Sequence, residues 1–172
     1  MKLALFAVFF TLASFSCQSQ TGLIEAVKDI DLLRYAGKWY EIASVTGYFQ
    51  KGCECTTAEY QIIPADEHIR VINRCFRNGK WSQIEGKAFR DPARRDGKLK
   101  EQFFWPFRAD YWVIDLAPDY NWAVVSGPEL RYLWILSRTP QMDENTFQSI
   151  LSRLKTIGFD PSRLSHTRQK GC

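Results

Sequence analysis

Alternation of apolar and polar residues with period two runs through most of this chain in eight short segments, and it constrains the fold more than any other feature. Turn residues interrupt the alternation about every eight to twelve positions, as in all-β domains. The segments are residues 39–45, 55–63, 69–76, 81–89, 99–105, 111–116, 122–126 and 132–137. Because successive strand side chains point to opposite faces, each segment is predicted to be a strand with one buried face.

A single helical stripe follows the last predicted strand. Beyond Asp143, apolar residues recur at the spacing of one helix face: Phe147, Ile150, Leu151, Leu154 and Ile157. Asp143 can cap the start of this helix and Gly158 its end. Eight antiparallel strands followed by one helix favour an all-β, up-and-down barrel with the C-terminal helix packed outside, because closure removes exposed strand edges. A filled β-sandwich is the alternative that alternation leaves open.

Length, charge and composition narrow the class of protein. The chain has 172 residues and fits one domain, and its net charge of +4 is too small to indicate nucleic-acid binding. Six Trp, seven Tyr and twelve Phe suit a sheet that surrounds an apolar cavity. The sequence contains no Ser–His–acid set, phosphate loop or metal-ligand cluster, so we expect a binding protein without enzymatic activity, metal or cofactor.

The N-terminus has the pattern of an export signal. A run of apolar and small residues ends at Cys17, and it is shorter than the about 20 residues that cross a bilayer as a helix. Cys17, preceded by the small Ser16, resembles the lipidated cysteine of bacterial lipoproteins. We therefore expect residues 1–16 to be a signal peptide, 17–28 a lipidated N-terminus and linker, and 29–172 the folded domain. Ordinary cleavage nearby, with Cys17 lost or free, is the alternative.

Two segments resemble the lipocalin family. Residues 34–43, which contain Gly37 and Trp39 in the order Gly-x-Trp, resemble the start of the first lipocalin strand, and residues 132–140 resemble the end of the last one. The likeness extends over most of the predicted domain and is strongest to the bacterial outer-membrane lipoprotein lipocalins and apolipoprotein D. It implies an eight-stranded barrel whose closed base is sealed by Arg138 lying over Trp39.

The resemblance also implies a pairing of the cysteines. The chain has five, and if Cys17 is acylated the remaining four allow three pairings. In the apolipoprotein D-like pattern Cys55 pairs with Cys172, which leaves Cys53 to pair with Cys75. A Cys55–Cys75 bridge is the alternative.

In the lipocalin register, one set of side chains points into the barrel and is expected to line a ligand site. The set is Ala43, Ala58, Tyr60, Val71, Asn73, Gly86, Ala88, Leu99, Glu101, Phe103, Tyr111, Tyr132 and Trp134. Its small members leave room and its aromatic members form a wall, which suits a linear acyl chain. Two members are polar: the amide of Asn73 needs a partner, and Glu101 is expected to affect selectivity for the polar group of the ligand. A register error of one residue, which would place Glu101 outside, is the alternative.

These observations predict a membrane-anchored protein that binds fatty acids or lysophospholipids for storage, scavenging or transport in a bacterial envelope, at the outer membrane. Apolar loop residues are expected to form the mouth of the barrel, opposite Trp39: Tyr48, Phe49, Phe104, Trp105, Pro106 and Phe107. The expected partners are a small hydrophobic ligand and, through Cys17, a membrane, with a homodimer left open. The alternatives are a thiol- or tetrapyrrole-dependent enzyme or antioxidant, and a purely structural barrel.

Overall fold

The computed structural model describes residues 24–47, 50–64, 66 and 68–172. The predicted signal peptide, Cys17 and two predicted mouth residues, Tyr48 and Phe49, lie outside the described residues. Within the described residues the elements are α1 Leu32–Tyr35, β1 Gly37–Val45, β2 Glu54–Ile62, β3 Ile69–Arg77, β4 Lys80–Arg90, β5 Lys98–Phe104, β6 Phe107–Leu116, β7 Trp122–Ser126, β8 Leu133–Ser137, α2 Glu144–Thr156, a short 3-10 helix Pro161–Arg163 and β9 Ser165–His166.

The first eight strands close into a barrel. Each strand from β2 to β8 pairs antiparallel with its neighbour in the chain, and β1 pairs with both β8 and β2, which completes the ring. The predicted up-and-down barrel is therefore confirmed, and the β-sandwich alternative is excluded. We call the end at Trp39 the base, and the opposite end, where the β1–β2, β3–β4, β5–β6 and β7–β8 loops lie, the mouth.

The helix α2 packs on the outside of the barrel, as predicted. Its start is capped by Asp143, whose carboxylate accepts a 2.9 Å hydrogen bond from the amide of Thr146. Phe147, Ile150 and Leu154 are buried in one cluster with outward-facing residues of β7 and β8. Among the described residues, no helix has the length and apolar character needed to span a bilayer.

The C-terminal segment, residues 165–172, lies between β1 and β2 on the mouth side. Its strand β9 pairs with β1, and the amide of Thr167 donates a 2.9 Å hydrogen bond to the carbonyl of Ile42. On the other side, the amide of Cys55 donates a 2.8 Å hydrogen bond to the carbonyl of Arg168. The segment therefore joins two strands at a point beyond their direct pairing.

Two disulfide bonds hold this side of the barrel together. Cys55–Cys172 ties the end of the C-terminal segment to β2, and Cys53–Cys75 ties the β1–β2 loop to β3. Both predicted pairings are confirmed, and the alternative Cys55–Cys75 bridge is not formed. In the chain-entropy account, each bridge stabilises the fold by roughly 3–5 kcal/mol because it restricts the unfolded chain.

Part of the predicted linker belongs to the folded domain. The amide of Val27 donates a 2.9 Å hydrogen bond to the carbonyl of Val113, and the amide of Gly97 donates a 2.8 Å bond to the carbonyl of Val27. The neighbouring Ala26 is buried. The domain therefore begins before residue 29, where the sequence prediction placed its start, because so short a segment has no periodicity to detect.

Candidate ligand-binding cup

The base of the barrel is closed by the stacked pair Trp39 and Arg138. Trp39 is fully buried, and the guanidinium carbon of Arg138 lies 3.7 Å from the centre of its ring. The indole N–H of Trp39 donates a 2.8 Å hydrogen bond to the carbonyl of Tyr35, and Arg138 donates to the same carbonyl at 3.0 Å. The predicted seal of the base by these two residues is confirmed.

Above the base, the inward faces of the strands form a space that we call the cup. Most of the predicted inward residues face it, because each belongs to the interior apolar cluster or pairs across the sheet with a residue that does. Buried members of this set are Tyr60, Val71, Ala88, Leu99 and Tyr111. Partly accessible members are Ala58, Asn73, Gly86, Glu101, Phe103 and Trp134. The cup is therefore not completely filled by its own side chains, and part of its wall is accessible.

Ala43, predicted to line the cup, lies on the outer face instead. A β-bulge at Ile42 places Glu41 opposite Leu136 but Ala43 opposite Ile135, so the alternation shifts by one residue. Ala43 is buried in the outer cluster with α2. The prediction of an inward Ala43 is wrong because it assumed an unbroken alternation from Trp39 onward.

Gly86 makes room for the ring of Phe103. A Cβ atom at residue 86 would lie 2.6 Å from Cδ1 of Phe103 and 2.7 Å from the carbonyl oxygen of Gln102, and both distances are far below normal contact. Glycine therefore allows the aromatic ring to pack directly on the backbone of β4. This pair sets the shape of the cup on the β4–β5 side.

A chain of tyrosine hydroxyls leads to Glu101. The hydroxyl oxygens of Tyr35 and Tyr111 are 2.6 Å apart, and Tyr60 donates to the Tyr111 hydroxyl at 2.7 Å. The Tyr60 hydroxyl also lies 3.4 Å from Oε1 of Glu101. Glu101 pairs across the sheet with the inward Ala88, so the alternative of an outward Glu101 is excluded.

Burial determines the protonation states in this chain of hydroxyls. Desolvation raises the pKa of Glu101 to about 8, and the hydrogen bond with Tyr60 lowers it by less. The same cause raises the pKa values of the three tyrosines: Tyr35, Tyr60 and Tyr111. At neutral pH the cup therefore holds a mostly uncharged carboxylic acid beside three uncharged hydroxyls.

A second inward carboxyl group, Glu41, was not predicted from the sequence. It is buried and accepts hydrogen bonds from Ser44 at 2.8 Å, from Nε2 of Gln50 at 2.6 Å and from the Thr167 hydroxyl. Gln50 in turn accepts a 3.4 Å hydrogen bond from the indole N–H of Trp134. Burial raises the pKa of Glu41, and the hydrogen bonds that it accepts oppose that rise. Glu41 therefore connects the cup wall, the β1–β2 loop and the C-terminal segment.

Asn73 has an unused acceptor in the cup. It pairs with Ala58 and therefore faces inward, and within the described residues its buried Oδ1 has no hydrogen-bond partner. An unpaired buried amide oxygen costs free energy that a hydrogen-bond donor would recover. The sequence predicted that Asn73 bonds either a neighbour or a ligand. For Oδ1, the structure leaves a ligand or a solvent molecule as the expected partner.

Large apolar side chains lie at the mouth in the β5–β6 turn, as predicted for that turn. Phe104, Trp105 and Phe107, which we call the mouth patch, are 69%, 86% and 76% exposed. Tyr132, predicted as part of the wall, lies just before β8 and is 40% exposed, with its ring centre 6.3 Å from that of Trp134. Tyr132 therefore lies at the rim of the cup, and the mouth patch lies beyond it in solvent.

A sealed base, a partly accessible apolar interior and an aromatic mouth define a class: small β-barrels that hold one hydrophobic molecule inside. Comparison with known proteins identifies the family. A model described as "Lipocalin-like domain" matches residues 30–169. The chain therefore belongs to the lipocalin family.

The relatives include bacterial and animal proteins. Outer membrane lipoprotein Blc of Vibrio cholerae is 39% identical over 170 residues, which cover 95% of this chain and 99% of that protein. Apolipoprotein D of Bos taurus is 32% identical over 155 residues, which cover 84% of this chain and 80% of that protein. The solved structure of insecticyanin from the tobacco hornworm Manduca sexta matches with a TM-score of 0.69 at 26% identity, covering 84% of this chain and 83% of insecticyanin. The resemblance predicted from two short segments is confirmed.

Proposed function

We propose that the protein binds fatty acids or lysophospholipids in the cup and stores, scavenges or transports them without breaking covalent bonds. The observation that carries this proposal is the largely apolar interior above the sealed base, in which Ala58, Phe103 and Trp134 remain partly accessible. An acyl chain buried against such walls contributes about 25 cal/mol per Å2 of apolar surface removed from water.

An outer-membrane location in a bacterial envelope, with an acylated Cys17 as the anchor, is the second part of the proposal. The relative from Vibrio cholerae is named an outer membrane lipoprotein, and its match covers nearly all of both chains. The exposed aromatic side chains of the mouth patch suit contact with lipid during loading and release. A protein with such an anchor stays near the membrane from which it takes its ligand.

Lipid analysis tests the ligand. Native mass spectrometry of the mature protein purified from its host, followed by lipid extraction, should show a bound fatty acid or lysophospholipid. In titrations of delipidated protein, Ala58→Phe should weaken binding at least about tenfold, because the ring fills accessible space in the cup. The matched control Gln83→Phe adds the same ring to an exposed position of β4 and should leave affinity unchanged. No extractable lipid and no titratable binding by a folded protein would support a purely structural barrel instead.

Fractionation tests the anchor. Wild-type protein should sediment with membranes and carry acyl groups on Cys17 in the mass spectrum of its N-terminal peptide. Cys17→Ser should appear in the soluble fraction, whereas Ser19→Ala should behave as wild type. An unmodified Cys17 in the mature protein contradicts this part of the proposal.

Thiol chemistry is not favoured by the positions of the cysteines. Cys53, Cys55, Cys75 and Cys172 all form disulfide bonds, which leaves Cys17, outside the described residues, as the remaining thiol. Titration of free thiols in the folded mature protein should therefore find none if Cys17 is acylated. Visible absorbance of the protein purified from its host tests for a bound tetrapyrrole.

A further inference from the structure

Glu101 places a carboxyl group in the cup, and no described residue forms an ion pair with it. Its cross-strand neighbours are Ala88 on β4 and Ala109 on β6. The titratable groups that face it from α1, β2 and β6 are all hydroxyls: Tyr35, Tyr60 and Tyr111. The described part of the chain therefore supplies this carboxyl with no counter-ion.

The carboxyl oxygens of Glu101 also have unused capacity to accept hydrogen bonds. Oε1 is 3.4 Å from the Tyr60 hydroxyl, a long contact, and the single proton of that hydroxyl is shared with Tyr111 at 2.7 Å. Oε2 has no hydrogen bond within the described residues, yet it is not among their fully buried unpaired atoms. Oε2 therefore faces the accessible part of the cup, where a bound molecule can reach it.

We propose, resting on the proposed function, that the cup accepts the primary ammonium group of a single-chain lipid and that Glu101 is its counter-ion. An ammonium group brings three donors and one positive charge, which match the unused acceptors and the unpaired carboxyl. A carboxylate head group brings acceptors only and adds a like charge. The ligand enters with its polar end first, and its alkyl chain extends towards the mouth patch.

This arrangement couples binding to pH. Glu101 is mostly protonated at neutral pH, since burial raises its pKa to about 8. An ammonium group favours the ionised carboxylate, so binding at neutral pH releases a proton into solvent. Affinity for an alkylamine should therefore increase as pH rises to about 8 and should fall only when the amine itself deprotonates near about 10. Affinity for a fatty acid should instead decrease as pH rises to about 8.

The test uses the delipidated mature protein and three probes of equal chain length, dodecylamine, dodecanol and dodecanoate, each below its micelle concentration. Calorimetry at about pH 8.5 should show dodecylamine binding at least about tenfold tighter than dodecanol. Glu101→Gln, which keeps the size of the side chain, should remove this preference. The matched control Glu85→Gln changes an exposed carboxylate on the outer face of β4 and should keep the preference.

The outcomes separate the two proposals. If wild type binds dodecanol and dodecanoate but does not favour dodecylamine, or if Glu101→Gln keeps the preference, the ammonium site is wrong and the lipid-binding function stands. Near-ultraviolet circular dichroism shows whether the Glu101→Gln variant is folded. If no probe binds to wild type or to the folded variant, the proposed function itself fails. A preference for lysophosphatidylethanolamine over lysophosphatidylglycerol that depends on Glu101 assigns the ammonium to a phospholipid head group. A preference that is seen with dodecylamine but not with either lysophospholipid assigns the ammonium group to a free long-chain amine.

Discussion

Arg138 stacks on Trp39 at 3.7 Å and at the same time donates hydrogen bonds to three parts of the base. Its guanidinium N–H groups reach the carbonyl of Tyr35 in α1 at 3.0 Å, that of Lys38 in β1 at 3.0 Å and that of Tyr120 in the β6–β7 loop at 3.2 Å. One side chain therefore fixes the helix, the first strand and a loop around the buried indole.

Arg138→Lys should lower the free energy of unfolding by about 1–3 kcal/mol, because lysine keeps the charge but loses the planar fork and most of the backbone bonds. Urea denaturation followed by tryptophan fluorescence measures the loss. Arg131→Lys is the control, since the Arg131 side chain is 71% exposed and pairs with Glu129 at the surface. Equal stabilities of the two variants would show that the stacked arginine does not hold the base.

Gly86→Ala should also destabilise the barrel, by about 1–3 kcal/mol, because the added methyl group overlaps both Phe103 and the backbone at Gln102. The combination with Phe103→Leu should not restore stability, since the carbonyl oxygen of Gln102 still lies 2.7 Å from the new Cβ. Gly127→Ala is the matched control: its new Cβ would lie 3.8 Å from Asp110, which is ordinary contact. If Phe103→Leu fully restored the stability of Gly86→Ala, the backbone at Gln102 would be able to move away from the new Cβ.

Short apolar or alternating segments bounded by turn residues were sufficient to predict all eight barrel strands. This includes β7 and β8, which bury both faces because α2 covers their outer side. Alternation failed at Ile42, where the bulge adds a residue to β1. Ile42 and Ala43 are both apolar, so their polarity does not show which of them leaves the cup face. The alternation could not indicate the bulge, and it therefore gave the wrong orientation to Ala43. Glu41 precedes the bulge, so alternation from Trp39 already places it inward, although the sequence prediction did not include it in the cup.

The contacts between elements could not be predicted from the sequence for a different reason. The inward residues of each single strand follow from register, and this was enough to place Glu101 in the cup. Its link to Tyr35 was not predictable, because Tyr35 belongs to α1, a helix of four residues that is too short to show a period. Only barrel closure brings α1, β2 and β6 to one point.

Loss of the Cys55–Cys172 bridge should cost more stability than loss of the Cys53–Cys75 bridge. The first closes a separation of 117 residues and the second one of 22, and in the chain-entropy account the longer loop stabilises more, by about 1.5 kcal/mol. Paired Cys→Ser variants of each bridge, compared by urea denaturation, measure the difference. Hydrogen exchange at the Thr167 amide should accelerate in the first variant and stay slow in the second. A larger loss without Cys53–Cys75 contradicts the account.

The stability of wild type should fall as pH rises from about 4.5 to about 8 because of Glu101. Its pKa is about 8 in the folded protein against an ordinary value of 4.5, so its contribution to stability is complete below the lower value and is lost as pH rises through the higher one. Urea denaturation at about pH 5 and about pH 8.5 should show a smaller decline for Glu101→Gln than for wild type. An identical decline in both would mean that the carboxyl is solvated in the folded state.

Gln50→Ala should destabilise the protein more at neutral pH than in acid. The variant removes a 2.6 Å hydrogen bond from the buried Glu41, so the pKa of that carboxyl, already raised by burial, rises further and ionisation at neutral pH costs more. We expect a loss of about 1–3 kcal/mol at about pH 7 and a smaller one at about pH 4, from urea denaturation. Gln83→Ala removes a comparable bond to the exposed Glu85 and should have a small effect at either pH. A Gln50→Ala loss that is independent of pH would show that Glu41 keeps one protonation state, and that the bond holds the β1–β2 loop only by its geometry.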